Sequence, residues 1–160
     1  MTLDDSLLWQ IRHFVYNHFA DTTHPPSADE TARHFNITGE EASEYYKELN
    51  NRHTFFLDPE TSNVRMAWPF SATPTIFKVH ANGKTYYANC AWDMLGIPVV
   101  LHADAVIEAV CTESNEKVQI KIKDRQIAHP QSTSYQSTDS QLLIHFPLPF
   151  ARWYDDLVFT

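Results

Sequence analysis

Glycine is scarce in this 160-residue chain, with three in all, and that excludes collagen-like, low-complexity and glycine-rich phosphate-loop readings. Cysteine is nearly absent too: Cys90 and Cys111 are the two. A pair of thiols in a chain expected to stay inside the cell reads as reduced sulfur, not as a disulfide framework. No apolar run approaches the ~20 residues of a membrane span. The opening MTLDDSLLWQ is acidic and lacks the basic and apolar regions of a signal peptide, so a cytoplasmic, membrane-free protein is expected. Cations are outnumbered, with 12 Lys and Arg against 20 Asp and Glu, a formal net charge of -8. That sign repels phosphate backbones and argues against nucleic acid as a partner.

What is present suits a soluble α+β protein, 43% hydrophobic and 20% charged, long enough to bury a real core without staples. Residues 1–70 read as a helical, winged-helix-like module, and residues 71–160 as a small, mainly antiparallel sheet domain. In the first part, Asp4, Asp5 and Ser6 precede an apolar stripe of helical period: Leu7, Leu8, Ile11, Phe14, Val15 and Phe19. Ser27…Glu30 and Thr38…Glu41 are two capping boxes, each opening a further helix. The third helix turns Ala42, Tyr45, Tyr46 and Leu49 inward. Two strands, Thr54 to Leu57 and Val64 to Trp68, complete a helix-helix-helix-hairpin order. A DNA reader of that order needs a basic third helix, and this one carries Glu40, Glu41, Glu44 and Glu48. A transcriptional regulator is therefore the least favoured function.

In the second part, Asn82-Gly83 separates strands Ile76 to Val79 and Thr85 to Ala88, a strong hairpin signal. Ala105 to Val110 and Lys117 to Lys123 form a second pair, with Val118, Ile120 and Ile122 alternating against Lys117, Gln119, Lys121 and Lys123. Those lysines read as a wet edge that discourages further pairing. Pro130 to Ser140 is a polar loop, Leu142 to Phe146 a last strand, and Asp155-Asp156 a solvated pair near a chain-end helix. Nine histidines are present, but none forms a His-x-x-x-His pair, no Cys-x-x-Cys pair occurs, His13 and His18 are five apart and match a helix poorly, and no resident cofactor is expected. His102 could approach a site on the preceding helix. Trp68, Trp92, Trp153 and Tyr86-Tyr87 are candidate core and pocket walls.

The segment Tyr87 to Pro98 carries the chemistry. It leaves a strand and meets no breaker before Gly96, so a short helix is expected near Cys90 with Asn89 as its cap. A thiol in a first helical turn feels the positive end of the backbone dipole, which favours thiolate. Asp93, three residues on, shares its face. A thiolate beside a carboxyl group is a nucleophile or soft-metal ligand beside a proton carrier.

The run Gly83-Lys84-Thr85-Tyr86-Tyr87-Ala88-Asn89-Cys90-Ala91-Trp92-Asp93-Met94-Leu95-Gly96-Ile97-Pro98 resembles the core motif of organomercurial (alkylmercury) lyases, a tyrosine and alanine followed by Cys-Ala-x-Asp and an apolar run. The resemblance extends upstream through Pro69-Phe70-Ser71 and downstream to Cys111, and covers residues 1 to 155 with a winged-helix-like module in front. It implies protonolysis of a carbon-mercury bond, with Cys90 capturing the metal as thiolate and Asp93 relaying a proton and helping to hold the mercury. It also implies that Cys111 is a buried structural residue. The family's second catalytic cysteine would fall at Ser140, Gln141 or Leu142, just before Ile144-His145-Phe146, and no cysteine follows Cys111. The chain is thus similar to a divergent member, and an external low-molecular-weight thiol is the candidate for the missing sulfur. A non-catalytic binder of a soft metal or organometal is the first alternative.

Overall fold

Asp4 begins the first helix by accepting hydrogen bonds from the amides of Ser6 and Leu7. Helix α1 (Asp5–Thr22) then buries Leu8, Ile11, Val15 and Phe19 completely and ends where Thr23 turns left-handed. Both capping boxes form, at Ser27/Glu30 and Thr38/Glu41, and open α2 (Ala28–Phe35) and α3 (Gly39–Asn51). Ala42, Tyr45, Tyr46 and Leu49 all face the core. The computed structural model describes residues 3–128, 143–146 and 148–153.

Beyond α3 come the strands β1 (Phe56–Leu57), β2 (Val64–Ala67), β3 (Phe70–Ser71), β4 (Lys78–Ala81) and β5 (Lys84–Ala88). Helix α4 (Ala91–Leu101) follows, then β6 (Ala105–Val110), β7 (Lys117–Lys123) and β8 (Gln126–Ala128), and a 3-10 turn at Phe150–Arg152. The eight strands form one antiparallel sheet in the order β1-β2-β3-β5-β4-β6-β7-β8. The architecture is α+β. The hairpin β1–β2 continues through β3 into this sheet, so both parts of the chain share it.

Register explains the core. Tyr86, Val79, Ile107 and Ile120 sit opposite one another across β5, β4, β6 and β7, all 3% exposed or less. Because side chains alternate in a strand, the neighbouring row Thr85, His80, Val106 and Lys121 lies on the other face. The first row is covered by α4, which packs on β4, β5 and β6, and by α1. Phe19 of α1 stacks on Phe70 of β3 at 5.4 Å, and the Tyr86 hydroxyl donates to the Ala20 carbonyl at 2.6 Å.

The turn at Asn82-Gly83 has positive φ at both residues (52° and 73°), the two-residue hairpin geometry that matches strand twist. Several expectations need correction. Strand β4 starts two residues late, because the Thr75 hydroxyl donates to the Ala88 carbonyl and accepts from the Phe77 amide, occupying the ground where pairing would begin. The lysine-rich strand β7 is no edge: Asp124 and Arg125, both at positive φ, turn the chain back so that β8 pairs with it. Residues 143–146 are not a strand. The expected polar loop Pro130 to Ser140, the positions 140–142 and Asp155-Asp156 lie outside the described residues. No helix is long and apolar enough to cross a membrane among the described residues.

Candidate active site

Strand β5 ends at Ala88, whose amide donates to the Phe77 carbonyl at 3.0 Å. Two residues later Cys90, still extended (φ -142°, ψ 176°), is the N-cap of α4, and its carbonyl receives the Met94 amide at 3.2 Å. The cap is therefore Cys90 itself, not Asn89. Asp93 falls on the third helical position, so the two residues occupy the paired places of a capping box, whose side chains turn toward each other across the first turn. The Asp93 carboxyl group accepts from the thiol and the backbone N–H of Cys90. The sulfur makes no full capping bond of its own.

Helix α4 also runs past Gly96 and through Pro98, ending three residues after the proline. Gly96 is where the helix touches the loop between β2 and β3: a β-carbon there would lie 3.1 Å from Cβ of Pro69. That contact, with the Trp68-Pro69 peptide bond cis, brings Trp68 and Pro69 alongside the first turns of the helix. The result is a cavity of about 610 Å³ with Cys90, Asp93 and Asn89 in a wall otherwise made by Trp68, Pro69, Trp92, Leu95, Val99, Phe146 and Trp153. Its size lies within the range of small-molecule sites. Of the aromatics expected to provide core and pocket walls, Trp68, Trp92 and Trp153 line the cavity and Tyr86 lies in the core. Phe146 also belongs to the wall, a role that its strand-like sequence surroundings do not announce.

Electrostatics overturn one expectation. Burial pushes the Cys90 thiol up to about 11, and the adjacent Asp93 charge adds to the rise. The amides of Asp93 and Trp92 act the other way and favour thiolate, but they do not win. Cys90 is thus a thiol at neutral pH, and the dipole argument fails because the sulfur is withdrawn from water. Burial also lifts Asp93 to about 6, against the pull of its hydrogen bonds from Cys90. A carboxyl group that titrates near neutrality can both take and give a proton at working pH.

Other candidates lie elsewhere. Cys111 is not buried: it is partly exposed where β6 ends, and the Ser114 hydroxyl with the amides of Ser114 and Glu113 draws its thiol below the usual range. His102 caps the C-terminus of α4, the end opposite Cys90. His145 is exposed. Both cysteines are free, and no three His, Cys, Asp or Glu side chains gather to hold a metal ion among the described residues.

Residues 70–147 match the family model of the alkylmercury lyases. The chain is similar to a solved structure described as the mercury-bound form of MerB2, with a TM-score of 0.62 and 19% sequence identity over 79% of this chain and 60% of that one. At that identity the likeness is one of fold, and the present chain spans 60% of the length of that relative. No curated protein matches. The matched segment contains β5, the Cys90 cap and all of α4, so the part of the chain that is similar to the alkylmercury lyases is the part that carries the thiol and the carboxyl group.

Proposed function

We propose that the protein cleaves carbon-mercury bonds by protonolysis, with Cys90 as the mercury-capturing sulfur and Asp93 as the proton relay. The observation that carries this reading is a thiol hydrogen-bonded to a carboxyl group of raised pKa at the wall of an apolar cavity. The substrate is an organomercury thiolate, R–Hg–SR′, the form such compounds take in the presence of a low-molecular-weight thiol. As the Cys90 sulfur bonds to mercury, its proton passes to the Asp93 carboxylate. That proton then goes to the carbon, the carbon-mercury bond breaks, and R–H leaves. Mercury remains on the Cys90 sulfur and the SR′ sulfur, with the Asp93 carboxylate beside it. A second R′SH exchanges for Cys90 and restores the thiol. The scheme needs one protein sulfur and one external sulfur.

In this reading residues 1–70 are a winged-helix-like module that packs against a lyase-like part, 71–160. The module does not read DNA, since Lys47 is engaged by Glu44, and Arg52 by Glu48 and Asp5, leaving α3 acidic. Two free thiols suit a reducing compartment, which supports a cytoplasmic setting. The test is to incubate reduced protein with phenylmercury or methylmercury and excess small thiol, and to assay benzene and methane. Hydrocarbon release that disappears in Cys90→Ser and Asp93→Ala is the expected result. Mercury held one-to-one through Cys90 without hydrocarbon would replace the lyase by a binding protein of the same site.

A further inference from the structure

The residue between Cys90 and Asp93 that faces outward is a tryptophan, and it is unusually bare. Trp92 is 58% exposed at the second position of α4, yet it lines the cavity that holds the thiol and the carboxyl group. Among the described residues its indole meets the ring of Phe146, at 6.2 Å and a tilt of 59°, which leaves much of its face open. Phe146 in turn stacks on Trp153 at 5.0 Å, and the Trp153 indole N–H donates to the Leu148 carbonyl at 2.9 Å. Phe146 is therefore held from behind, whereas Trp92 has an open flank on the cavity. Two rings set at an angle beside a reactive sulfur make a slot for a flat apolar group. A methyl group on mercury fills little of a 610 Å³ cavity and touches neither ring broadly. An aryl group on mercury held in this cavity has both rings available, because they share its wall with Cys90.

We propose that Trp92, backed by Phe146, sets the substrate class of this site, selecting mercury compounds that carry a flat aromatic group over those that carry a small alkyl group. The inference rests on the proposed function, because it takes Cys90 as the mercury ligand. Aromatic contacts of this kind account for a preference of about tenfold.

The experiment uses the full reduced chain, with phenylmercury and methylmercury each competed against a fixed concentration of one small dithiol. Intrinsic differences between the two compounds toward sulfur then appear equally in the competitor and cancel. Phenylmercury should be held about tenfold better than methylmercury relative to the competitor. Trp92→Ala should remove that preference by weakening phenylmercury alone, and Trp92→Phe should keep most of it. A preference unchanged in Trp92→Ala, or an equal loss for both compounds, overturns the proposal. If both compounds are held through Cys90 with the expected preference but no hydrocarbon forms, catalysis fails and the specificity stands. If neither is held, or retention survives Cys90→Ser, both fall.

Discussion

Asp93 illustrates how a functional group can cost stability where it is most useful. Its carboxyl group titrates near 6 in the folded chain, whereas an unfolded aspartate titrates near 3.9. The folded state therefore binds more protons between those values, and stability falls as pH rises from about 4 through 6. Above that window the buried charge is a standing cost, and below it the neutral acid costs little. Asp93→Asn should accordingly raise stability by about 1–3 kcal/mol at pH 8 and by almost nothing at pH 4. Urea unfolding at the two pH values measures this, and an equal gain at both would mean that the charge is not the cause. The same titration appears in catalysis. Since the thiol proton must pass to a carboxylate, kcat/KM for phenylmercury should climb through about pH 6 and level off. Cys90 contributes no rise in that range, because its own titration lies near 11.

At the scale of elements, the turns show which signals a sequence carries openly. Asn82-Gly83 announces its hairpin because glycine and asparagine tolerate left-handed backbone at little cost. Asp124-Arg125 makes the same kind of turn with φ of 52° and 63°, and arginine gives no hint of it, which is why β8 stays invisible until the fold is seen. Replacing Arg125 by glycine should relieve that strain and stabilise the protein by about 1 kcal/mol. Gly83→Ala, at φ 73° with nothing within 4 Å of its new β-carbon, should cost about the same through backbone alone. Denaturation midpoints of the two variants, moving in opposite directions, are the check. The capping boxes and the alternating β7 are legible for the same reason as Asn82-Gly83: each is a local arrangement that needs no distant partner. Strand β3, two residues long, has no period to read, and α4 is apolar apart from Asp93, so neither its end nor its open face can be inferred. The Cys90–Asp93 pairing is legible from spacing. Its thiol state is not, because the burial that raises the thiol is set by tertiary packing and not by the spacing of the two residues.

For the molecule as a whole, the question is whether the helices and the reactive end of the sheet behave as one unit. Contacts close to the site in sequence join them. Phe70, whose β3 pairs with β5 at Ala88, stacks on Phe19, and Tyr86, four residues before Cys90, donates its hydroxyl to the Ala20 carbonyl. The Tyr86 side chain is 1% exposed and its hydroxyl has been pulled out of water, so the bond to Ala20 is the group's compensation. Tyr86→Phe removes one hydrogen bond and leaves a carbonyl at the end of α1 without that donor. The expected loss is about 1–2 kcal/mol. Because the bond spans the helices and the sheet, the loss should be felt by both at once. Helix ellipticity at about 222 nm and tryptophan fluorescence should still change at a single shared midpoint, displaced to lower denaturant by the same amount for either signal. Two separated transitions in the variant would mean that the helical module folds on its own and that the sheet keeps Cys90 and Asp93 in place without it. A coincident shift means that α1 and the sheet strand that leads to Cys90 unfold as one cooperative unit, joined across the core by the Tyr86–Ala20 bond and the Phe19–Phe70 stack.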